Sequence, residues 1–518
     1  MARTSLLGGA YSSASLIAAA QKSVNLYPEA VPEKTREGVQ AVNRMRAGRR
    51  ILSTCPNPGR GRCLYRATTP SNPALTNICD LYAVVDTGVW WIDQNYTWKL
   101  LGNLQAPGST PCYMVDNGQE LMLVDGSPTG YSINLTTRVF TIIGDPNFLG
   151  ADMVDVMDTF IVFNIINTGN WGATLSNQIS FNALDFGSIT AFPGIIRSLA
   201  IVEREVWLFT DLAGEVWYNA GLQGFTFQEA PSVVIHHGTC AKYSIAKNDS
   251  QVYWLSQSPQ GARMLMTNNG RAAKRISNFA IEDEWKKYAY VGDAIGGCYQ
   301  IDGHNFYAIH FPTMDKTWVY DEALGDPGVA WHEENYLDVN GVLRRMRDCF
   351  YSFAYDTSVS LDFSNGSLYA IDIQTYVDQI STTQSQPIPW LRRLPHMVGD
   401  KFQRTVWDWL IADIEVGNDP GTISGASGSG FSSGFSSGFG GSGSVAINPL
   451  VSLRMSDDRG RSWGNYMTQT MGLVGQYDTA VTWWNLGQSR DKVFELSGAS
   501  NQRFSLLGVF TDAVEGET

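Results

Sequence analysis

From residue 81 onward one pattern recurs, and it restricts the chain to few architectures. Each unit is a short aromatic-aliphatic run, a turn, and a second such run. The units read "LYAVVDTGVWWI" from Leu81, "LMLVDGSPTGYSI" from Leu121 and "FIVFNIINTGNWGATL" from Phe160. They continue as "VWLFTDLAGEVWYN" from Val206, "VYWLSQSPQGARMLM" from Val252 and "FYAIHFPTMDKTWVYD" from Phe306, and a last one, "FSNGSLYAID", begins at Phe363. Starts from 81 to 306 lie 40, 39, 46, 46 and 54 residues apart, close to the roughly 40–50-residue period of propeller blades. The runs are too short for globular helices, so each unit reads as a hairpin. One hairpin cannot bury both of its faces, and stacking several around an axis solves that problem. The pattern predicts an all-β fold: a β-propeller-like array of antiparallel hairpins with about six to eight blades. We place this array at residues 61–395, behind an N-terminal arm at 1–60. One helical interruption is predicted at "FAIEDEWKKYAYV", where Ile281, Trp285 and Tyr288 share a face.

Past "RRLPHM" the pattern changes. "TVWDWLIADIEV", "LVSLRMSDDRGRSW", "YDTAVTWWNL", "KVFELSG" and "FSLLGVFTDAV" predict a separate antiparallel β-domain at 396–518. Between its first two strands lies a Gly/Ser/Phe insertion, residues 421–444, which cannot build a core of its own. Its Phe431, Phe435 and Phe439 fall at every fourth position. They read either as incidental aromatics in a linker or as an array of small apolar stickers. A flexible chain of this length has an r.m.s. reach of roughly 25–30 Å.

"SDDRGRSW", Ser456 to Trp463, has the S-x-D-x-G-x-S-W pattern of an Asp-box, which recurs in sialidases and other propellers. Its chemistry favours a turn. Gly460 can take φ > 0 without steric cost. Ser456, Asp458 and Ser462 offer polar atoms to backbone groups freed by the bend. Trp463 can fold its ring beneath the turn as an anchor. None of these groups is an obvious acid, base or nucleophile, so a structural turn is expected rather than a catalytic or ligand site.

The chain has 518 residues, enough for two or three domains. Its 37 basic and 50 acidic residues give a net charge of −13. Such a surface does not grip a nucleic-acid backbone, although it can let a nucleic acid slide past. The seven cysteines (55, 63, 79, 112, 240, 298 and 349) are dispersed, with no C-x-x-C pair. Free thiols in a reducing compartment are the simpler reading. The apolar run near the start is broken by "YSSAS", so a signal-peptide core is not expected, and no run approaches a membrane span.

Other candidate chemistry is weak. His236 and His237 are adjacent in a predicted strand and would point to opposite faces. His304 and His310 share strand parity but have no carboxylate at ligand spacing in the sequence. "GDAIGG" lacks the Walker lysine, and "GSPTGYS" lacks the spacing of a hydrolase elbow. Arg344, Arg345 and Arg347, with Arg392 and Arg393, read as surface or interface charge. Glu333-Glu334 and Asp457-Asp458 have no glycosidase arrangement. No catalytic residue, cofactor or metal is expected. The rival readings are a glycan-binding or glycan-hydrolysing, sialidase-like propeller, which should carry several Asp-boxes where one full box occurs here, and a host-surface adhesin.

Taken in order, "AAAQKSVNLYPEAV", "LVDGSPTGY", "DPNFLGADMVDVMDTFIVFN", "EVWYNAGLQGFTFQ", "VYWLSQSPQGARML", "FPTMDKTWVYDE", "LRMSDDRGRSWGN", "WWNLGQSRDKVFELS" and "LLGVFTDA" resemble the tail nozzle, or packaged-DNA stabilisation protein, of short-tailed bacteriophages. "CPNPG" and the 421–444 insertion depart from that family's pattern. The resemblance implies a non-enzymatic virion protein, made in the host bacterial cytoplasm. It implies a ring of copies of this chain, hexameric, at the distal end of the tail. Its partners would be the tail adaptor, a tail fibre or spike, and the host outer membrane. Phage DNA would be retained behind the ring and pass its lumen without sequence-specific binding. In such a ring Phe431, Phe435 and Phe439 would form a channel plug or a host contact.

Overall fold

Seven four-stranded antiparallel blades, five of them separate sheets and two lying within a larger sheet, surround one axis in the computed structural model, which describes residues 2–4, 9, 12–13, 15–30, 41–70, 79–190, 192, 194–248, 250–399, 402–416, 450–472 and 480–515. Blade one comprises Gly61–Pro70, Cys79–Val85, Gly88–Ile92 and Trp98–Asn103. Blades two to five follow consecutively, starting at Tyr113, Val154, Ser198 and Ala246. Blade six runs from Ile295 to Leu337. Blade seven takes Asp348–Ala354, Thr357–Asp362 and Ser367–Asp372, and its fourth strand is Gly48–Thr54, from the other end of the propeller sequence. The first strand of each blade lies innermost, and 348–354 abuts 61–70 to close the ring.

The hairpin units fall where the pattern placed them. The first six begin in the second strand of blades one to six, and the last covers the turn and third strand of blade seven. Among the described residues the blade count is seven. Second strands are buried on both faces, as in Cys79–Val85, which explains their unbroken apolar runs. Tight inner turns need positive φ at both positions, and Glu203-Arg204, Asp302-Gly303 and Tyr355-Asp356 all supply it. Trp171, Trp207 and Trp254 fill one continuous inter-blade core. The predicted helix is present at Phe279–Lys286, capped by Asn278, with Ile281, Trp285 and Tyr288 buried.

The second body is a β-sandwich. One sheet is ordered 26–30, 41–45, 504–515, 405–416, 480–484; the other is ordered 22–24, 385–393, 491–500, 450–456, 467–470. Leu26, Met45, Trp390, Leu410, Leu453, Trp483, Leu496 and Leu506 pack between them. Trp390 stacks on Phe504 at 4.1 Å.

The segment expected as an N-terminal arm at 1–60 is built into both bodies. Residues 22–45 supply three strands of the sandwich and 48–54 complete blade seven. Strand 385–393, expected in the propeller, belongs to the sandwich. The reason is pairing: each body has edges that this distant segment covers.

A polar seam joins the two bodies. Arg46 is buried and its guanidinium makes five hydrogen bonds among the described residues: two to Asp378 at 2.5 and 3.0 Å, and one each to Asn25 Oδ1 and the carbonyls of Ala47 and Asn335. Arg49 pairs with Asp348 at 2.6 Å and faces Glu334 at 3.7 Å. Lys22 and Lys316 both pair with Glu333. Burial works against the charged form of Glu334, yet His332, Arg49 and Arg46 hold it down at about 2.

Candidate functional site

The Asp-box stands at the end of strand 450–456. Asp458 Oδ1 accepts from the backbone N–H of Arg461 (3.1 Å) and Ser462 (2.8 Å), and from Ser456 Oγ (2.7 Å). Its Oδ2 accepts from Ser462 Oγ at 2.6 Å and again from the Ser462 N–H at 3.0 Å. The hydroxyls of Ser462 and Ser456, then the backbone N–H groups, hold this carboxyl down at about 2. Gly460 sits at φ +85°, donates to Ser456 Oγ at 2.8 Å, and has Ala20 3.2 Å from where a Cβ would lie. Both carboxylate oxygens are thus committed to shaping the turn.

Trp463 is half-buried rather than tucked into the core. Its ring packs against the guanidiniums of Arg393 (4.5 Å) and Arg454 (4.8 Å). Both arginines bond the fully buried Glu495, at 2.7–2.8 Å and 2.5 Å. Arg454 also lies 5.1 Å from the exposed ring of Tyr466. Beside this stack, Arg459 and Arg490 flank the exposed Phe402 ring at 5.2 and 5.9 Å. The local carboxylates are occupied: Asp491 by His396 and Arg459, Asp457 by the buried Lys492. Arg461 and Arg490 are exposed and form no ion pair among the described residues. Of the guanidiniums here, those of Arg461 and Arg490 keep their N–H edges available for an anion.

The propeller axis is closed. Tyr113 of blade two stacks on Tyr243, which precedes blade five, with ring centroids 6.3 Å apart. Lys242 lies 4.8 Å from the Tyr243 ring and pairs with Asp152 at 2.7 Å. Nearer the inner turns, Asp155 of blade three pairs with Lys247 of blade five at 2.5 Å and accepts from Ile201 N of blade four at 2.8 Å. Burial raises the Tyr113 phenol well above its ordinary value. Nothing in the local sequence around these residues announces that they meet, because they come from different blades, 46 to 130 positions apart in the chain.

At the mouth formed by the inner turns, a cleft of about 700 Å³ opens across blades five to seven. Asp302, Asp356 and Asp372 line it, with Arg50, Lys247 and the exposed Phe353. Asp302 is held by Arg44 at 2.9 Å.

The remaining candidates are structural or lie outside the described residues. His236 and His237 follow a strand rather than lying in one. His304 does meet a carboxylate, Asp321 of the neighbouring strand, at 2.7 Å. His310 bonds Thr317 and Tyr351, each at 3.0 Å, and burial pushes its imidazole down to about 3. The arginine clusters expected at the surface are largely interior: Arg345 and Arg392 are buried, and Arg347 pairs with the buried Asp362 at 2.8 Å. Glu333 and Glu334 are the seam carboxylates. Residues 421–444, with Phe431, Phe435 and Phe439, lie outside the described residues. The seven cysteines are free, five of them buried.

A seven-bladed propeller continuous with a sandwich defines the class of protein. Residues 80–372 match the family described as "Bacteriophage P22 Gp10, beta-propeller". The match begins in the second strand of blade one and ends with the third strand of blade seven. The chain belongs to this family, and so is a structural protein of a phage particle. No curated protein matches it in sequence. Solved structures that overlay on it include the computationally designed Ika8 protein, at 11% identity and TM-score 0.37, covering 68% of this chain and 100% of that one. The N-terminal domain of Nup159 overlays at 8% identity and TM-score 0.36, covering 66% and 97%. Overlays this loose bear on neither fold nor function.

Proposed function

We propose that the chain is one subunit of a nozzle ring at the distal end of a short phage tail, where it retains packaged DNA and encloses the path of its ejection. The observation that carries this reading is the family match along the propeller, supported by the ordered sequence resemblance that continues into the sandwich. The closed axis shapes the reading. No polymer passes where Tyr113 stacks on Tyr243, so the lumen is enclosed between subunits. A net charge of −13 suits a wall that DNA slides past. The copies form a hexamer, contact the tail adaptor above and a fibre or spike beside them, and meet the host outer membrane at the tip. Phe431, Phe435 and Phe439 serve there as a plug or a host contact. The role is non-catalytic, a reading supported by an Asp-box carboxylate fully engaged by its own turn.

A density map of the particle tests the proposal. The chain is expected as a ring directly below the tail adaptor, and density for it only in a peripheral fibre would overturn the reading. Changing the three phenylalanines to serine separates their roles: early genome loss with normal adsorption identifies a plug, and poor adsorption with normal retention identifies a host contact.

A further inference from the structure

Charge is distributed unevenly between the two bodies. Residues 61–372, the propeller, hold 18 Lys and Arg against 33 Asp and Glu, a net of −15; the remaining residues hold 19 against 17, a net of +2. Many of the cations in the first 60 residues are consumed internally, on Glu333, Asp378, Asp348 and Asp302. The Asp-box corner is different. Its carboxylates are spent on its own turn and on buried partners, whereas Arg461 and Arg490 project into solvent beside Phe402 and the Arg393–Trp463–Arg454 stack.

We infer that this arginine–aromatic corner is a docking surface for the acidic mouth of the propeller in a second copy of the chain. At that mouth the inner turns of blades three, four, six and seven present Asp158, Glu203, Asp302 and Asp356, all exposed. Arg204 and Arg271 there are already bound, to Asp158 and Glu205. Glu203 and Asp356 form no ion pair among the described residues, and the exposed ring of Phe353 lies in the same cleft as Asp356. Guanidinium forks match carboxylates in geometry, and an exposed ring can take a guanidinium face. A second copy is favoured over a phosphate polymer because the chain as a whole repels phosphate, while each copy carries the complementary acidic face. The two faces lie on different bodies, so the contact is head-to-tail, the type that closes into rings. This inference rests on the ring reading above and assigns its contact.

The test uses the full chain, followed by sedimentation and mass photometry across a salt series. Wild-type protein is expected to assemble at low salt and to dissociate as salt screens the contact. The double variant Arg461→Glu/Arg490→Glu should associate about tenfold or more weakly, since reversal places like charges together. Its melting temperature should be unchanged, because neither side chain has an internal ion pair. Adding Glu203→Arg and Asp356→Arg should restore assembly. Wild-type assembly by the double variant overturns the inference and leaves the ring reading intact. A ring absent from both wild-type protein and particles overturns both. If the double variant assembles normally but wild type alone retains duplex DNA or vesicles of anionic phospholipid, the corner serves phosphate and the inference is wrong.

Discussion

The propeller and the sandwich are both antiparallel β-structure, yet the chain builds them in opposite ways. Blades one to six each use consecutive strands, so their ladders close within a few dozen residues. The sandwich pairs 41–45 with 504–515, and 22–24 with 391–393. Strand 48–54 closes blade seven against 367–372 across a similar gap. Local pairing is cheap in chain entropy, and distant pairing must be supported by burial and charge. The support is visible in the N-terminal segment, whose cations neutralise carboxylates of blade six, blade seven and the linking strand 377–379. The two bodies are therefore joined by a segment that belongs wholly to neither.

The largest expected effect comes from removing that segment. A chain beginning at residue 61 lacks the fourth strand of blade seven and strands 22–24, 26–30 and 41–45. It should show no cooperative melting transition and should be cleared rapidly by protease. A cooperative transition near that of the full chain would mean that the propeller closes without its clasp.

Next in size is the seam itself. Arg46→Met leaves Asp378 buried without its counter-ion and should cost about 3–5 kcal/mol in denaturant unfolding. Changing Asp378→Leu in the same chain should recover part of that loss by removing the buried unpaired charge, while Asn25 Oδ1 and the carbonyls of Ala47 and Asn335 still lack the arginine's donors. If the single variant unfolds like wild type, the seam does not couple the bodies.

A third test uses pH and reports on the contact between blades six and seven. His310 is held neutral by burial, with its folded pKa lowered to about 3. The unfolded chain binds this proton below its ordinary value and the folded chain does not, so stability is full above about 6.5 and falls as pH drops. The slope from this group should be about 1.4 kcal/mol per pH unit until pH nears 3. His304 acts in the opposite sense: Asp321 raises its pKa, so its contribution is present below the ordinary value and is lost as pH rises through the folded one. Denaturant melts at pH 7 and pH 5 should therefore differ less in His310→Gln than in wild type. An unchanged difference would place the acid sensitivity elsewhere.

The smallest effect should come from the Asp-box, where the turn satisfies itself. Trp463→Ala removes a half-exposed ring held by two guanidiniums and should cost about 1–2 kcal/mol, the scale of such stacking. A buried core tryptophan such as Trp390 should cost about 3–5 kcal/mol on the same change. Equal losses would mean that the sandwich leans on its surface turn as heavily as on its core.

Legibility in the sequence followed the same division. The hairpins of blades one to six, the helix at 279–286 and the Asp-box turn were readable because each is specified by neighbours within a few residues: apolar runs, positive-φ turn residues and an Asn cap. Trp463 was misplaced because the pattern names a ring but not the arginines that would flank it, and Arg393 lies 70 positions away. The arginine clusters misled for a related reason. A run such as Arg344-Arg345-Met346-Arg347 looks like surface charge until Asp362 and the Phe363 ring arrive from the next hairpin.

The sequence alone determined the repeat, the all-β class, the acidic balance and the turn chemistry, because periodicity and local hydrogen bonding act over short stretches. Only the tertiary structure decided the seventh blade, the role of residues 22–54, the closed axis and the solvent-facing arginines. Each of these depends on partners from remote parts of the chain, where burial and charge pairing rather than local pattern select the neighbour.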